Sequence, residues 1–354
     1  RRFSSLQGEE MGRSLLLFLS LLASPSIASD SAADILANAI HGKSIHEFRG
    51  FYKREHSLIK PYQGAGMEIP NWDLNGGVMV TPHYIRLTPD EQSRQGAIWN
   101  RQPVHSRDWE LSVSFKVSGA TGDLFGDGFA IWYAQEPMQM GPVFGSKDYF
   151  RGLAVFLDTY SNHNGPHKHG HPYVSAMVAD GSQHYDHDRD GTHTQLGGET
   201  TGCEAKFRNK EHDTNILIRY VGDTLSLFID VEGKMEWKEC MKVDNVHLPT
   251  GYYLGMSATT GELSDAHDII SVKMFEQEFS RVERLDEINS DRIVPHAEFQ
   301  ATPRDHSDDP KPSKLGFIGT VLLVLIGVVV VIGVLGYGVL YFKNKNERSR
   351  KRFY

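Results

Sequence analysis

The segment 156–162, Phe-Leu-Asp-Thr-Tyr-Ser-Asn, carries the clearest chemistry in this sequence of 354 residues. Asp158, Tyr160 and Asn162 fall at alternate positions, so an extended loop presents two side-chain oxygens and one main-chain carbonyl on one side. Ca²⁺ binds hard oxygen ligands, carboxylates among them, and the acidic loop 185–191, Tyr-Asp-His-Asp-Arg-Asp-Gly, could supply another carboxylate. The pattern has two interpretations: a calcium site, or a capped turn, which this spacing alone forms more often.

Two glycine-flanked acidic loops are candidate ligand contacts. Residues 126–133, GDGFAIWY, place Asp127 between two glycines, which lack a Cβ and let a ligand approach closely. A carboxylate accepts hydrogen bonds from two neighbouring hydroxyls, which is what the vicinal diol of a sugar offers. Residues 260–268, TGELSDAHD, add amides at 261–263 that could donate to ligand oxygens. Read locally, the first is equally an ordinary turn aspartate and the second an ordinary loop.

A third candidate is the histidine-rich segment 163–171, HNGPHKHGH. His167, His169 and His171 alternate, and on an extended segment they would face one way as zinc ligands. The alternative interpretation, a solvated and variable loop, is the one we favour on composition.

The elements that must position these loops are short strands. Residues 111–117, LSVSFKV, alternate apolar and polar positions without a break, as a half-buried strand requires. Glycine and Asx residues separate the candidates, and no long helical period occurs between 108 and 275. The pattern predicts an all-β sandwich or jelly roll. The predicted strands are 111–117, 129–134, 153–157, 174–178, 216–220, 224–231, 252–258 and 269–275.

The two ends of the chain predict a type I single-pass membrane protein. Residues 315–342 carry no charge and are long enough for a transmembrane helix across a bilayer core of about 30 Å. The basic tail 343–354 is then cytosolic by the positive-inside rule. Residues 11–28 have the pattern of a signal peptide. Residues 1–10 precede the initiator candidate Met11, and we interpret them as an upstream translation artefact.

Composition narrows the function classes for the luminal part. A formal net charge of −8, with no basic stripe before the tail, argues against a nucleic-acid partner. The chain has two cysteines, Cys203 and Cys240, which should form a disulfide in an oxidising lumen. Residues 278–314, charged and rich in proline, predict a mostly disordered stalk. Its lack of cysteine favours a monomer.

Taken together and in order, the motifs resemble the animal L-type (legume-lectin-like) lectins. The likeness is strongest to the vesicular integral-membrane mannose lectins of the early secretory pathway and covers residues 41–277, the anchor and the tail. It implies a legume-lectin-like jelly-roll β-sandwich that binds high-mannose N-glycans with Ca²⁺. The segments that carry it are GDGFAIWY, FLDTYSN, YDHDRDG, GCEAKFRN, LPTGYYLGMSATTGELSDAHDIIS and the terminal KRFY.

The resemblance also implies roles for individual residues. The disulfide of the family falls at Cys203 and Cys240, and one departure is Glu262, where the family usually has Asp. The implied calcium ligands are Asp158, the carbonyl of Tyr160, Asn162 and Asp190. The implied sugar contacts are Ser93, Asp127, Asn162, His187, Gly261, Glu262 and Leu263. The implied sorting signals are Arg350, Lys351 and Arg352 for retrieval to the ER and Phe353 and Tyr354 for capture by vesicle coats.

These features predict a calcium-dependent lectin that acts as a cargo receptor between ER and Golgi, and not an enzyme. We expect weak glycan binding that is lost on acidification. The unperturbed pKa of a histidine such as His187 is near 6.5, and protons compete with calcium for the carboxylates that bind the ion. Two alternatives stay open. One is a jelly-roll glycoside hydrolase, although Phe228-Ile-Asp-Val-Glu232 lacks the leading acid of a Glu-x-Asp-x-Glu strand. The other is an adhesion or chaperone-like membrane protein that binds polypeptide.

Overall fold

The computed structural model describes residues 50–63, 68–120, 122, 125–162, 169–278, 289–297 and 314–350. Contacts divide the chain into two compact units, one through Ala301 and one from Thr302. The predicted signal peptide 11–28 and residues 1–10 lie outside the described residues.

The first unit is built from antiparallel strands. In chain order they are β1 Gly50–Tyr52, β2 Trp72–Gly76, β3 Met79–Val80, β4 Ile85–Thr88, β5 Gln95–Asn100, β6 Trp109–Ser118, β7 Gly128–Ala134, β8 Arg151–Asp158, β9 Tyr173–Asp180, β10 Cys203–Glu204, β11 Thr214–Val221, β12 Thr224–Asp230, β13 Lys238–Val243, β14 Val246–His247, β15 Tyr253–Thr259, β16 Ala266–Gln277 and β17 His296–Ala297.

The strands form two facing sheets. One has the order β13-β12-β11-β6-β16-β4-β3, with β1 paired to β16, and the other has the order β10-β9-β8-β7-β15-β5-β2. Side chains from both sheets meet between them; for example, the ring of Phe115 on β6 lies 4.9 Å from that of Phe129 on β7. The predicted all-β sandwich is confirmed, and all eight predicted strands are present.

Burial explains why the central strands form. On β6 the apolar positions Leu111 to Val117 are buried and the polar positions between them are partly exposed, so one face meets the core. On β7 and most of β8 both faces are buried. Their outer face is covered by a second apolar cluster that includes Phe144 and Tyr185, which come from loops. This cluster anchors the acidic loop 185–191 against the sheet.

The predicted disulfide is confirmed. Cys203 on β10 is bonded to Cys240 on β13, and each strand ends the strand order of its own sheet. The bond therefore links the two sheets at one side of the sandwich. Closing a loop of this length stabilises the fold by about 4 kcal/mol in the chain-entropy treatment.

Part of the predicted stalk 278–314 lies against the sandwich. β17 pairs with β14, with His296 opposite His247, and the amide of Thr250 donates to the carbonyl of Ser290 at 3.0 Å. The prediction of a mostly disordered stalk did not anticipate these contacts, because a two-residue strand leaves no periodic signal. Residues 279–288 and 298–313 lie outside the described residues.

In the described part of the second unit, residues 314–350 form the helix α1 Lys314–Arg350. Its segment Leu325–Lys343 has a mean hydropathy of 2.5 and no buried residue, so by length and composition it is a candidate membrane span. This agrees with the span predicted at 315–342. The side chain of Arg350 is not described, and Lys351, Arg352, Phe353 and Tyr354 lie outside the described residues.

Candidate metal and ligand site

The candidate site forms at the end of the seven-stranded sheet where β7 begins and its neighbour β8 ends. Gly128, the first residue of β7, pairs with Asp158, the last residue of β8. Beyond this pair the ladder continues for one more bond, in which the amide of Thr159 donates to the carbonyl of Asp127 at 2.9 Å. Asp127 and Asp158 are therefore held side by side at one end of the sandwich.

The second acidic loop brings Asp190 to the loop that follows Asp158. Asp190 ends a short 3-10 turn, His187–Arg189, with φ 50°, and its amide donates to the carbonyl of His187 at 3.0 Å. Its carboxylate accepts from the amide of Asn162 at 2.9 Å. The predicted pairing of the loops 158–162 and 185–191 is therefore observed.

Asp158 and Asp190 are both buried. Burial raises the pKa of Asp158 well above its usual range, and the like charge of Asp190 raises it further, while the amide of Tyr160 donates to its carboxylate at 3.0 Å and opposes this shift. A divalent cation between the two acids would remove their repulsion. The carboxylate oxygens, with the main-chain and amide oxygens of Tyr160 and Asn162 in the same loop, are donors that suit Ca²⁺.

One side chain of this cluster was not paired with the acids by sequence reasoning. The Nε2 atom of His171 lies 3.9 Å from Asp158 Oδ2 and 3.7 Å from Asp190 Oδ2. Potential ligand atoms of all three residues lie within 4.8 Å of one another. Of the other two histidines considered as zinc ligands, His169 stacks on the ring of Tyr173 at 3.8 Å, and His167 lies outside the described residues.

Asp127 faces the loop that follows β15. A Cβ built on Gly261 would lie 3.2 Å from Asp127 Oδ2, so the glycine lets the loop approach the carboxylate. Burial raises the pKa of Asp127 to about 6. The two predicted contact groups, the acid and the backbone of 261–263, therefore lie together around one space.

A third loop supports this contact. The amide of Ser93, a residue with φ 55°, donates to the carbonyl of Gly261 at 3.0 Å. Gln92 Nε2 donates to the carbonyl of Glu262 at 2.6 Å, whereas the Glu262 side chain is exposed. The backbone of Glu262 is thus held while its longer side chain points to solvent.

The environment of His187 differs from the expectation. Its ring lies 4.8 Å from that of Tyr185, and its Nε2 donates to the carbonyl of Pro142 at 3.0 Å. Burial lowers the pKa of His187 below its usual value, despite that hydrogen bond. The imidazole therefore stays neutral further into the acidic range than we predicted, whereas the raised pKa of Asp127, about 6, lies within that range.

A buried ion pair joins the two loops that flank Asp127. Arg208 Nε donates to both carboxylate oxygens of Asp265, at 2.9 and 2.8 Å, and its Nη2 donates to the carbonyl of Ala120 at 2.7 Å. Its guanidinium lies over the ring of Phe125 at 4.2 Å. Asp265 follows the loop 261–264, and Phe125 precedes Asp127 by two residues. Arg208 therefore holds together the loop 261–264 and the segment that precedes Asp127, which form one wall of the site.

Comparison with known proteins supplies the family. The model of the legume-like lectin family matches residues 49–284. The chain belongs to the legume-like lectin family. The Vesicular integral-membrane protein VIP36 of Mus musculus is 46% identical over 327 residues, which cover 90% of this chain and 88% of that protein. The VIP36-like protein of Homo sapiens is 46% identical over 306 residues, or 86% of each.

A solved structure has the same fold. It is the crystal structure of the VIP36 exoplasmic/lumenal domain in its Ca²⁺/Man3GlcNAc-bound form, which is 49% identical to this legume-like lectin. The match has a TM-score of 0.65 and covers 70% of this chain and all of the other. The legume-lectin-like jelly roll predicted from sequence is confirmed.

Sequence reasoning missed three residues of this legume-like lectin's site: His171, Arg208 and Asp265. His171 was noted only for its alternation with other histidines. Arg208 and Asp265 lie in the segments GCEAKFRN and TGELSDAHD, but pairing them needs the sandwich topology, since 57 positions separate them.

Proposed function

We propose that this legume-like lectin binds high-mannose N-glycans on glycoproteins in the lumen of the secretory pathway, in a calcium-dependent way. The observation that carries the proposal is the convergence of Asp127 and the Gly261 loop with the buried pair Asp158 and Asp190. The VIP36 structures named for bound Ca²⁺ and mannose oligosaccharides support it.

Different residues of this chain would contact the sugar and the ion. The Asp127 carboxylate accepts hydrogen bonds from two neighbouring hydroxyls of a mannose ring, and the amides of 261–263 donate to sugar oxygens. Ser93, His187 and the amide group of Asn162 add contacts at the rim. Bound Ca²⁺ supplies positive charge, which keeps the acids ionised and the loop 158–162 ordered.

The energetics favour transient binding. Each neutral hydrogen bond contributes about 0.5–1.5 kcal/mol, and one mannose offers only a few. The affinity for a single glycan is therefore in the high micromolar to millimolar range. Weak binding suits a receptor that must release its cargo.

We further propose that the protein cycles as a monomeric cargo receptor among the ER, the intermediate compartment and the Golgi. The candidate span anchors it, with the lectin domain luminal and the tail cytosolic. Arg350, Lys351 and Arg352 would serve retrieval, and Phe353 and Tyr354 capture by forward coats. Relatives named as vesicular integral-membrane proteins support this placement. The activity proposed is binding, without catalysis.

The test is a glycan array probed with the full-length protein in detergent. We expect binding to high-mannose glycans in Ca²⁺, its loss in a chelator, and its recovery when Ca²⁺ is added back. Asp127→Asn should lose binding, whereas Asp188→Asn, a change at an exposed aspartate of the second acidic loop, should retain it. Chelator-resistant binding, or binding of unglycosylated polypeptide at the same site, would reject the proposal.

A further inference from the structure

An exposed tyrosine, Tyr149, lies on the loop between β7 and β8, the loop whose Pro142 carbonyl accepts from His187. The residue is 52% exposed, and its ring lies 5.7 Å from that of His184, whose side chain is 56% exposed. In the described part of the first unit, the other exposed aromatic side chains are those at positions 51 and 52, on β1, which pairs with β16 in the other sheet. Tyr149 therefore differs from them in lying beside the candidate site.

Asp148 holds the two rings in place. Its Oδ1 accepts hydrogen bonds from the amide of Tyr149 at 2.8 Å and from the amide of Tyr185 at 3.0 Å. Its Oδ2 contacts Nδ1 of His184. We call Tyr149 and His184 the aromatic ledge. Because one carboxylate fixes both members, the ledge is ordered before a ligand binds, which lowers the entropy cost of binding.

The aromatic ledge lies next to His187, a predicted sugar contact. Three positions separate His184 from His187, so their Cα atoms are at most about 11 Å apart. Burial is the main cause of the lowered pKa of His187, and the charges of Asp148 and His184 also act on it, as expected for close neighbours. A glycan residue that contacts His187 therefore leaves the next residues of its chain within reach of the ledge.

Backbone strain distinguishes Tyr149 from an ordinary surface tyrosine. Its φ is 52°, a left-handed conformation that bulky residues rarely adopt and that the surrounding structure must impose. Phe144, in the same loop, has φ 46°, but its ring is buried against Phe156 and Tyr185, so core packing offsets the strain. Burial among the described residues offers the exposed ring of Tyr149 no comparable gain, which points to a ligand.

We propose that the aromatic ledge is a second sugar subsite, which binds an outer residue of the glycan whose mannose occupies the Asp127 site. The inference rests on the proposed function and deepens it, because it names residues that would distinguish an oligosaccharide from a single mannose. A pyranose ring has an apolar face of C–H groups and an edge of hydroxyls. Tyrosine and histidine match both, since each has an aromatic face and a polar group at its edge.

Binding at the ledge should add modestly to the affinity. An aromatic contact of this kind changes a binding constant by about three- to tenfold. The gain should appear only for ligands long enough to reach both subsites, because a single mannose held at Asp127 leaves the ledge empty.

The test compares three ligands by calorimetry of the full-length protein in detergent with saturating Ca²⁺. The ligands are methyl α-mannoside, a high-mannose oligosaccharide, and a glycoprotein that carries the same oligosaccharide. The variant is Tyr149→Asn, because asparagine accepts a left-handed φ and removes the ring. The controls are Tyr149→Phe, which keeps the ring, and Tyr52→Asn, at an exposed tyrosine of the other sheet.

We expect Tyr149→Asn to weaken oligosaccharide binding by about three- to tenfold and to leave the affinities for the mannoside and for Ca²⁺ within about twofold. Unchanged Ca²⁺ affinity also shows that the variant is folded. Both controls should behave as wild type. Removal of the outer mannose residues from the oligosaccharide should abolish the difference between wild type and Tyr149→Asn.

Equal oligosaccharide affinity in wild type and Tyr149→Asn would overturn the inference. So would an equal loss for mannoside and oligosaccharide, which would place the effect at the Asp127 site. A loss for the glycoprotein but not for the released oligosaccharide would assign the ring to polypeptide, and also overturns it. If wild type binds neither sugar ligand in Ca²⁺, the proposed function falls together with this inference. If both proteins bind both sugars equally well, the inference alone falls.

Discussion

Two buried acidic groups flank Asp127, and they differ in what balances their charge. Asp265 has Arg208, which donates to both carboxylate oxygens and lowers the pKa that burial raises. Asp158 has as its neighbour another carboxylate, that of Asp190, which raises its pKa further. On the Asp265 side, the folded chain itself supplies the compensating positive charge, through Arg208. In the function we propose, the Asp158 side reaches its stable form when an external cation binds, so that the Asp265 wall is permanent and the Asp158 wall depends on the cation.

The largest effect should come from breaking the permanent wall. Arg208→Met leaves Asp265 buried without its cation, and we expect a loss of about 3–5 kcal/mol in the free energy of unfolding, as for other broken buried pairs. Urea denaturation measures it. Arg94→Met, at an exposed pair with Glu91, is the control and should change stability by less than about 1 kcal/mol. A similarly small loss in Arg208→Met would show that the Arg208–Asp265 pair does not hold this wall.

The next largest effect should be on calcium affinity at the Asp158 wall. Asp158→Asn should reduce calcium affinity by about a hundredfold or more, since it removes one of two charged ligands. The metal-free protein should be at least as stable as wild type, because the like-charge repulsion is gone. Calorimetry and thermal unfolding measure the two quantities, with Asp188→Asn as the matched control. Destabilisation of the metal-free variant would contradict the assigned charge balance.

Acid should weaken the site between the two walls. In the function we propose, the Asp127 carboxylate accepts from two hydroxyls, and protonation turns one of its oxygens into a donor. Its pKa of about 6 means that it gains this proton as the pH falls through that value. At low calcium, glycan binding should therefore decline with a midpoint near pH 6, and the midpoint should move to lower pH as calcium is raised. Binding isotherms between pH 7.5 and 5.0 measure it. A flat profile, or one abolished by His187→Asn with Asp127 intact, would contradict this assignment.

The same pKa shifts determine whether the folded protein becomes more or less stable as the pH rises. Folding raises the pKa values of Asp127 and Asp158, so protonation of these two carboxyls adds to the free energy of unfolding. This contribution is fully present at pH values below the pKa that each carboxyl has in the unfolded chain. It is lost as the pH rises through the folded values. Calcium binding should oppose this loss. Thermal unfolding of the metal-free protein across this range, with Asp127→Asn for comparison, checks the direction.

The smallest effect should come from Glu262, where the resemblance to the family predicts an aspartate. Glu262→Asp should change glycan affinity by less than about threefold, because the side chain is exposed and the carbonyl is held by Gln92. Gly261→Ala should weaken binding much more, since its methyl group would crowd the Asp127 carboxylate. Equal effects of the two substitutions, measured on one glycan, would contradict the backbone role of this loop.

The sequence was most informative where local periodicity and local spacing sufficed. The alternation in 111–117 predicted β6, and the spacing in 156–162 predicted which residues follow β8. Short strands such as β13, Lys238–Val243, with a break in register opposite Leu227 and Phe228, gave no such signal. His171, and the pair of Arg208 with Asp265, depend on which loops the sandwich brings together. Local patterns do not contain that information.

In the function we propose, calcium binding and glycan binding are coupled through the loop 158–162. The most direct test is calorimetry of the full-length protein with a high-mannose oligosaccharide, at several calcium concentrations, and of calcium with and without the oligosaccharide. Linkage requires that each ligand raise the affinity of the other by the same factor, which we expect to be about tenfold or more. Glycan affinity that is independent of calcium would contradict the account.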